Sequence, residues 1–284
     1  MTGHIIHFII ELVNTGRCPV YRDGGEREAD MPAEQLQTLS RAVAVLDCFS
    51  HERAELGVRE VARMLNLSSS AAGRLLAALK ALGVLSQNPE TRAYSMGARV
   101  LAWADIYSST LDVRNKAYPA LVELHQQTEE TISLYILDGC DRVCIERLES
   151  PQSVRIVQRI GRRLPLYAGS AGKAMLAFLP PERQEAVLQA SKLEPLTPKT
   201  ITDPAVLRRE LKKIREQGCA VSYGEWLADA AGVSAPIFDQ NGQVAAAVVI
   251  SGPISRFTKE KVDRYCEEVK RVAALISERM GFRP

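Results

Sequence analysis

A chain of 284 residues, 46% hydrophobic and only 6% aromatic, has room for one large domain or two of ordinary size and is too apolar to be a disordered tail. Its 36 Lys and Arg stand against 34 Asp and Glu, a net charge of +2 that by itself says little about partners, because acidic surface elsewhere can cancel a nucleic-acid-binding face. By segment the balance is −2 over residues 1–31, +2 over 32–100 and +2 over the remainder, so any DNA contact must rest on a few well-placed side chains.

The first apolar run, His4–Ile10, has no basic leading region, and Glu11 interrupts it within about half a membrane span. Residues 1–35 therefore read as a short extension of a soluble, cytoplasmic protein with no membrane anchor. Cys18, Cys48, Cys140, Cys144, Cys219 and Cys266 are scattered, mostly within apolar runs, through a chain too large to need staples, which reads as reduced thiols. Cys140 and Cys144 form a C-x-x-x-C pair, but no second Cys or His pair completes the four ligands of zinc, so neither metal nor cofactor is expected.

After Pro32 the pattern turns helical, with Leu36, Leu39, Ala42, Val43, Leu46 and Phe49 recurring on one face. Gly57 opens a short helix whose Val58, Val61, Ala62 and Leu65 face inward. Ser68 is a good N-cap for the next helix, in which Ala72, Leu75, Leu76 and Leu79 form the stripe and Gly83 the left-handed stop. Val84–Ser86 and Ala93–Met96 flank a polar turn at Gln87–Arg92 and predict a hairpin. Helix, short helix, tight turn, longer helix, hairpin is the order of a winged helix-turn-helix.

On that longer helix Ser69, Ser70, Gly73, Arg74, Ala77 and Lys80 make the outward set, small or polar near the N-terminus. Such an end can sink into a major groove, backbone N–H groups and hydroxyls meeting phosphates and Arg74 meeting a base or phosphate. Arg92, at the hairpin tip, is placed to reach a phosphate or the adjacent minor groove. The candidate DNA-binding residues are Arg41, Arg59, Ser68, Ser69, Ser70, Ala71, Gly73, Arg74 and Arg92. The same composition also suits a helical subdomain with a solvated face.

Amphipathic helices follow over Ala98–Ser109 and Val113–Gln127. Strands are predicted over Thr131–Leu137, Arg142–Leu148 and Val154–Ile160, and Gly161–Leu166 leads into a loop at Tyr167. Helices at Lys173–Phe178, Pro181–Gln189 and Pro204–Gln217 precede strands at Val221–Tyr223, Gly232–Phe238 and Val244–Ser251, the last two joined by a turn at Asp239–Gly242. Lys259–Met280 is a terminal helix. The class is α+β, antiparallel strands with helices packed on them.

The segment Ala168-Gly169-Ser170-Ala171-Gly172-Lys173-Ala174 has three readings. As a P-loop it fails twice, since Tyr167 holds the first Gly position and Ala174 replaces the metal-binding hydroxyl. As a nucleophile elbow on Ser170 it needs a later His, yet His4, His7, His51 and His125 all precede it. As small residues at a helix N-terminus it exposes N–H donors and the positive dipole end, a cradle for a carboxylate. Close helix–strand packing would ask for the same small residues. Lys173 would add charge there, although such a lysine commonly points to solvent.

The runs Arg41–Leu46, Val58–Ala62, Arg74–Leu79 and Asn88–Gly97, in this order and spacing, resemble the IclR family of bacterial transcriptional regulators, and the resemblance extends over residues 36 to about 280. It implies a winged helix-turn-helix over 36–97, a connecting helix over 98–112 and a PAS/GAF-like antiparallel α+β effector-binding domain over 113–284. It also implies that the loop at Gly169, Ser170, Ala171 and Gly172 contacts an acidic small molecule. The later cluster Ser222–Pro236 with Ile250–Pro253 is similar to the family's Gly-Glu, Ala-Pro and Ser-Gly-Pro. Glu225, Asp229 and Ser251 would then supply polar groups, with Trp226 and Leu227 lining the pocket; Glu225 reads equally well as a structural acid. Two departures concern DNA: Ser70-Ala71-Ala72-Gly73 replaces a Thr and an aromatic or His, and Arg92 stands where the wing commonly has Gly. The implied function is regulation of transcription by a homodimer, or a dimer of dimers, on palindromic double-stranded operator DNA under control of a small carboxylated metabolite. The competing classes are a metabolite-binding adaptor and an enzyme with an accessory winged helix.

Overall fold

The computed structural model describes residues 33–110, 112–157 and 159–283; the extension with its His4–Ile10 run lies outside them. The described chain divides into two compact units, 33–110 and 112–283.

The first unit contains α1 (Ala33–Asp47), α2 (Val58–Met64), α3 (Ser69–Ala81), the hairpin β1 (Leu85–Gln87) and β2 (Tyr94–Met96), and α4 (Arg99–Thr110). Local chemistry sets most boundaries. The Gly57 N–H donates to Glu60 Oε2 at 2.7 Å at the start of α2, and Ser68 Oγ accepts from the Ala71 N–H at 3.2 Å at the start of α3. Gly83, at φ +72°, turns the chain out of α3. Leu85 pairs with Met96 and Gln87 with Tyr94, while Leu56 bridges Tyr94 and adds a short third segment to the wing. Val45, Cys48, Leu56, Val61, Ala72, Leu76, Val84 and Tyr94 are among the side chains that close the core.

The face predicted for α1 is divided. Leu39 and Val43 are 56% and 55% exposed, whereas Val45 and Cys48 are buried and Ala42, Leu46 and Phe49 pack against the core. The apolar stripe is wider than the contact α3 offers, so its Leu39/Val43 edge stays uncovered in a single chain.

The second unit runs α5 (Asp112–Thr128), β3 (Thr131–Asp138), β4 (Asp141–Leu148), β5 (Arg163–Pro165), α6 (Ser170–Phe178), α7 (Pro181–Ala190), α8 (Pro204–Gln217), β6 (Ala220–Tyr223), β7 (Ala230–Phe238), β8 (Val244–Pro253) and α9 (Lys259–Arg279). The strands form one six-stranded antiparallel sheet in the order β5-β4-β3-β8-β7-β6. Period-two alternation gives it two buried faces. Ile132, Leu134, Val248 and Ile250 meet α5 and α9 on one side; Tyr135, Cys144, Ala247 and Val249 meet α6, α7 and α8 on the other.

The strand expected over Val154–Ile160 does not form among its described residues. Pairing with β4 begins only where Gly161 N–H donates to Cys144 O at 2.8 Å, and the ladder strand is Arg163–Pro165. Upstream, Val154 O accepts from Arg256 Nη1 at 2.7 Å and Arg155 Nε reaches Glu149 Oε2 at 3.0 Å, bonds that hold this stretch off the sheet. Helix α6 begins at Ser170, three residues earlier than the pattern predicts, because Gly169 and not the lysine provides its N-cap. Among the described residues no helix is long and apolar enough to cross a membrane, and no group of three metal-binding side chains occurs.

Candidate functional site

Two sites emerge, one in each unit. On α3, Ser69, Ser70 and Arg74 are exposed along one face near the N-terminus, with Ala71 half-buried beside them. Arg74 Nη1 donates to Ser70 Oγ at 3.4 Å, so the guanidinium lies back along its own helix. Ser68 spends its hydroxyl on the helix cap. Gly73 is not outward: a Cβ there would sit 3.6 Å from Val58 Cγ1, which makes it the small residue at the α2–α3 crossing.

The wing is tied to α3. Lys80 Nζ donates to Gln87 Oε1 at 2.9 Å, and Gln87 Nε2 donates in turn to the Arg92 carbonyl at 2.9 Å. Arg92 sits at the exposed tip at φ +60°, left-handed backbone that glycine adopts without strain, which accounts for the glycine common there in the resembling family. Arg41 on α1 and Arg59 on α2 are exposed, outside this set of bonds. The helix face and the wing thus present donors on one connected frame, the arrangement that fits a duplex groove and its flanking phosphates.

In the second unit the N-terminus of α6 points into a cavity of about 20 Å³ lined by Tyr135, Arg142, Gly169, Ser170, Ala171, Ser222, Trp226, residues 230–232, Val249 and Ser251. That is space for about one water. Gly169 is required by its backbone: it lies at φ +79°, and a Cβ would meet Arg142 Nη2 at 3.2 Å and Trp226 Cδ1 at 3.3 Å. Ser170 N–H donates to Ser222 Oγ at 2.9 Å, and Ser251 Oγ donates to Thr131 O at 3.4 Å. Gly172 does not line the cavity; a Cβ there would run into Leu166 O and Arg142 Nη1, so its smallness serves the close approach of α6 to the segment after β5 and to the arginine. Asp229 is exposed and also stands off the cavity.

Lys173 does not point to solvent. It is 1% exposed, and its ammonium donates to Glu225 Oε1 at 2.5 Å, Val221 O at 3.2 Å and Glu210 Oε1 at 3.3 Å. The other Glu225 oxygen accepts from the Gly169 N–H at 2.9 Å. Glu225 therefore caps α6 and neutralises the lysine four residues into it, while Thr200 Oγ1 fixes its carbonyl at 2.6 Å. Trp226 borders the cavity with the Arg162 guanidinium 5.0 Å from its ring centroid.

The residue that sequence reasoning missed is Arg142. It is 2% exposed, its Nη1 donates to the carbonyls of Ala168 at 2.8 Å and of Pro165, and its Nε is buried with no hydrogen-bond partner among the described residues. Burial pulls its pKa below the ordinary guanidinium value, opposed by the nearby Tyr135, Asp141 and Glu225, yet arginine stays charged in proteins. Tyr135 lies beside it, 5.5 Å from ring centroid to guanidinium carbon, and burial raises that phenol's pKa, keeping it neutral and able to donate. A signal existed: Arg142 occupies an inward position in the alternation of β4. A buried guanidinium next to a helix N-terminus favours an anion, and the flat rings of Tyr135 and Trp226 favour a planar one.

Two family models match the chain: the IclR helix-turn-helix domain over residues 38–89 and the bacterial transcriptional regulator IclR C-terminal domain over residues 106–278. The HTH-type transcriptional regulator KipR of Bacillus subtilis is 34% identical over 246 residues, covering 87% of this chain and 98% of its own. The crystal structure of the Thermotoga maritima IclR superposes with a TM-score of 0.72 at 34% identity, over 87% of this chain and 100% of that one. An IclR homologue from Microbacterium hydrocarbonoxydans complexed with 4-hydroxybenzoate superposes with a TM-score of 0.74 at 29% identity, over 86% of this chain and 98% of its own.

Proposed function

The chain belongs to the IclR family of transcriptional regulators, and on that premise we propose that it binds a two-fold symmetric operator as a homodimer and releases or engages it in response to a small carboxylate. The observation that carries the effector reading is Arg142, a buried guanidinium with a free Nε beside the α6 N-terminus. A carboxylate would pair with it and with the first-turn N–H of Ala171, which has no acceptor one turn back within the helix. Gly169, Ser170, Ser222, Trp226 and Ser251 shape the seat, and Glu225 acts on it through the α6 cap. The aromatic ligand of the Microbacterium relative has the same two elements, a carboxylate and a ring.

On DNA, Ser69, Ser70 and Arg74 are the proposed groove contacts, and Arg92 the wing contact, with Arg41, Arg59, Ser68 and Ala71 toward phosphates. One recognition helix reads too few bases for useful selectivity, so two copies are needed. The uncovered Leu39 and Val43 of α1, together with Leu101 and Trp103 of α4 at 74% and 48% exposure, offer a second copy an apolar surface. The proposed division is a DNA-binding domain over 36–97, a connecting helix over 98–112 and an effector domain over 113–284. In this reading Ser170, whose hydroxyl faces Gly232, shapes the seat and is assigned no catalytic role.

The test is a thermal-shift screen of aromatic acids, keto acids and sugar acids on the wild type, Arg142→Met and Ser170→Trp. A hit that raises the wild-type melting temperature should be lost in both variants; a hit that survives Arg142→Met refutes the carboxylate seat. Gel shift with the upstream intergenic DNA should fail for Arg74→Ala with its fold retained, and unaltered binding there refutes the recognition-helix reading.

A further inference from the structure

The second unit holds a thiol pair that the effector site does not use. Cys219 lies between Gly218, the left-handed cap of α8, and the first residue of β6; Cys266 lies midway along α9. Both are free thiols; Cys219 lies in the core cluster against which Cys266 packs, and their neighbours are in contact, with Lys270 Cδ and Cγ, one helical turn beyond Cys266, 3.3 and 3.9 Å from where a Gly218 Cβ would be. Their sequence separation and their places on two different elements mean that a bond between them would join strand to helix across the sheet face.

We propose that Cys219 and Cys266 form a reversible disulfide, a peroxide-sensitive modification site that pins the start of β6 to α9.

The surroundings favour it. Cys219 is buried to 5% exposure, while Cys266 is half-buried. The Lys270 stem crosses directly over Gly218, and both residues border an open groove of about 800 Å³ beside the thiol pair's neighbours in the chain. The Cys219 thiol is held below its ordinary pKa, first by the hydrogen bond from Cys266 and then by the Lys270 charge, with burial and Glu267 opposing; Cys266 is pushed up by the same bond and by burial. A thiol pair with a lysine charge beside it favours a thiolate on one of the two sulfurs, as a reactive pair needs. Elsewhere burial pushes Cys48 up to about 11 and Cys144 up to about 12, which makes them poor nucleophiles at neutral pH.

The chemistry balances with hydrogen peroxide as the oxidant. Cys219 thiolate attacks one peroxide oxygen, the O–O bond breaks, and the departing hydroxide takes a proton to leave as water, giving a sulfenic acid. Cys266 sulfur then displaces the sulfenic oxygen, which leaves as a second water with the Cys266 proton. Two electrons pass from the thiol pair to the peroxide, and a dithiol reductant reverses the step. The consequence reaches the cavity along one strand: β6 carries Ser222, the acceptor for the α6 N-terminus, and leads directly to Glu225 and Trp226.

The experiment treats the full chain with hydrogen peroxide, blocks remaining thiols under denaturing conditions, digests with trypsin and maps peptides by mass. Cys219 is the only cysteine in the tryptic peptide 216–256 and Cys266 the only one in 265–270. The expected result is joint loss of both alkylated peptides with appearance of their linked product, restored by dithiothreitol. In Cys266→Ser, Cys219 should instead be trapped by a sulfenic-acid reagent. Recovery of both peptides as unlinked thiols while Cys48 or Cys144 is consumed overturns the proposal, as does linkage of either peptide to a different cysteine. If Cys266→Ser fails to fold, the wild-type map alone still decides.

Discussion

Removing the Lys173 ammonium should be among the most costly single changes in the second unit. Lys173 and Glu225 side chains are 1% and 9% exposed, and their contact is the shortest bond either makes in the capping network. In Lys173→Met the aliphatic stem is kept, so the loss is electrostatic: Glu225 remains buried with its Gly169 N–H donor, without its paired ammonium and with only the more distant Arg142 guanidinium as counter-charge. Breaking a buried pair from one side costs about 3–5 kcal/mol. At roughly 2–4 °C per kcal/mol for a domain of this size, the unfolding midpoint of the second unit should fall by about 6–20 °C. The double variant Lys173→Met/Glu225→Gln should recover at least half of that fall, because the neutral amide oxygen still accepts from Gly169 and no charge is stranded. Thermal melts of the four proteins by calorimetry measure the coupling. A shift below about 2 °C for Lys173→Met, less than 1 kcal/mol, or a double variant as unstable as the sum of the singles, refutes the account of Glu225 as the cap of α6.

The wing offers a separation of stability from binding: Arg92→Gly relieves left-handed strain worth up to about 1 kcal/mol, so urea unfolding should be unchanged or shifted upward while operator affinity drops, and a destabilised variant would contradict the tip geometry. Gly172→Ala should cost about 1–3 kcal/mol through overpacking against Leu166 O and Arg142 Nη1, read as a lower urea midpoint, and a neutral result would mean that α6 does not approach the Leu166 backbone there. For Cys48, burial first and then Asp47 raise the folded-state pKa from 9.0 to about 11, with Arg53 opposing. Below pH 9 both states keep the proton and the stability is whole; as pH rises from 9 toward about 11 the unfolded chain ionises first and stability falls. Cys48→Ala should lose this alkaline component, and identical slopes for the two proteins in urea melts from pH 8 to 10.5 would refute it.

What could be read from the sequence was set by neighbours in the chain. Ser68 caps α3 through Ala71, and Gly83 ends it, because a cap is chosen within a few residues. The wing followed from its turn, and the sheet strands from their alternation. The effector cavity was legible only in outline: Gly169–Ala171 were singled out as small residues at a helix end, but Arg142 meets its carbonyl partners 23 and 26 residues downstream, and no local pattern announces that meeting. Lys173 was misjudged for the same reason, since its partner Glu225 is 52 residues away. Val154–Ile160 alternates like a strand, yet Arg256, itself held by buried Glu130, takes the Val154 carbonyl and prevents the ladder. The exposed edge of α1 was hidden because periodicity counts apolar residues without saying how many of them one neighbour can cover.

A seat that admits about one water sets a cost on recognition that contact geometry alone does not reveal. Whatever enters must first find the cavity open, so the measured dissociation constant is the intrinsic one divided by the open fraction. Weak apparent affinity would then be compatible with close contacts at Arg142, and a change that raises the open fraction would tighten binding without adding a single bond. Selectivity among acids of similar charge would rest on which of them fits the open form and lets it close again.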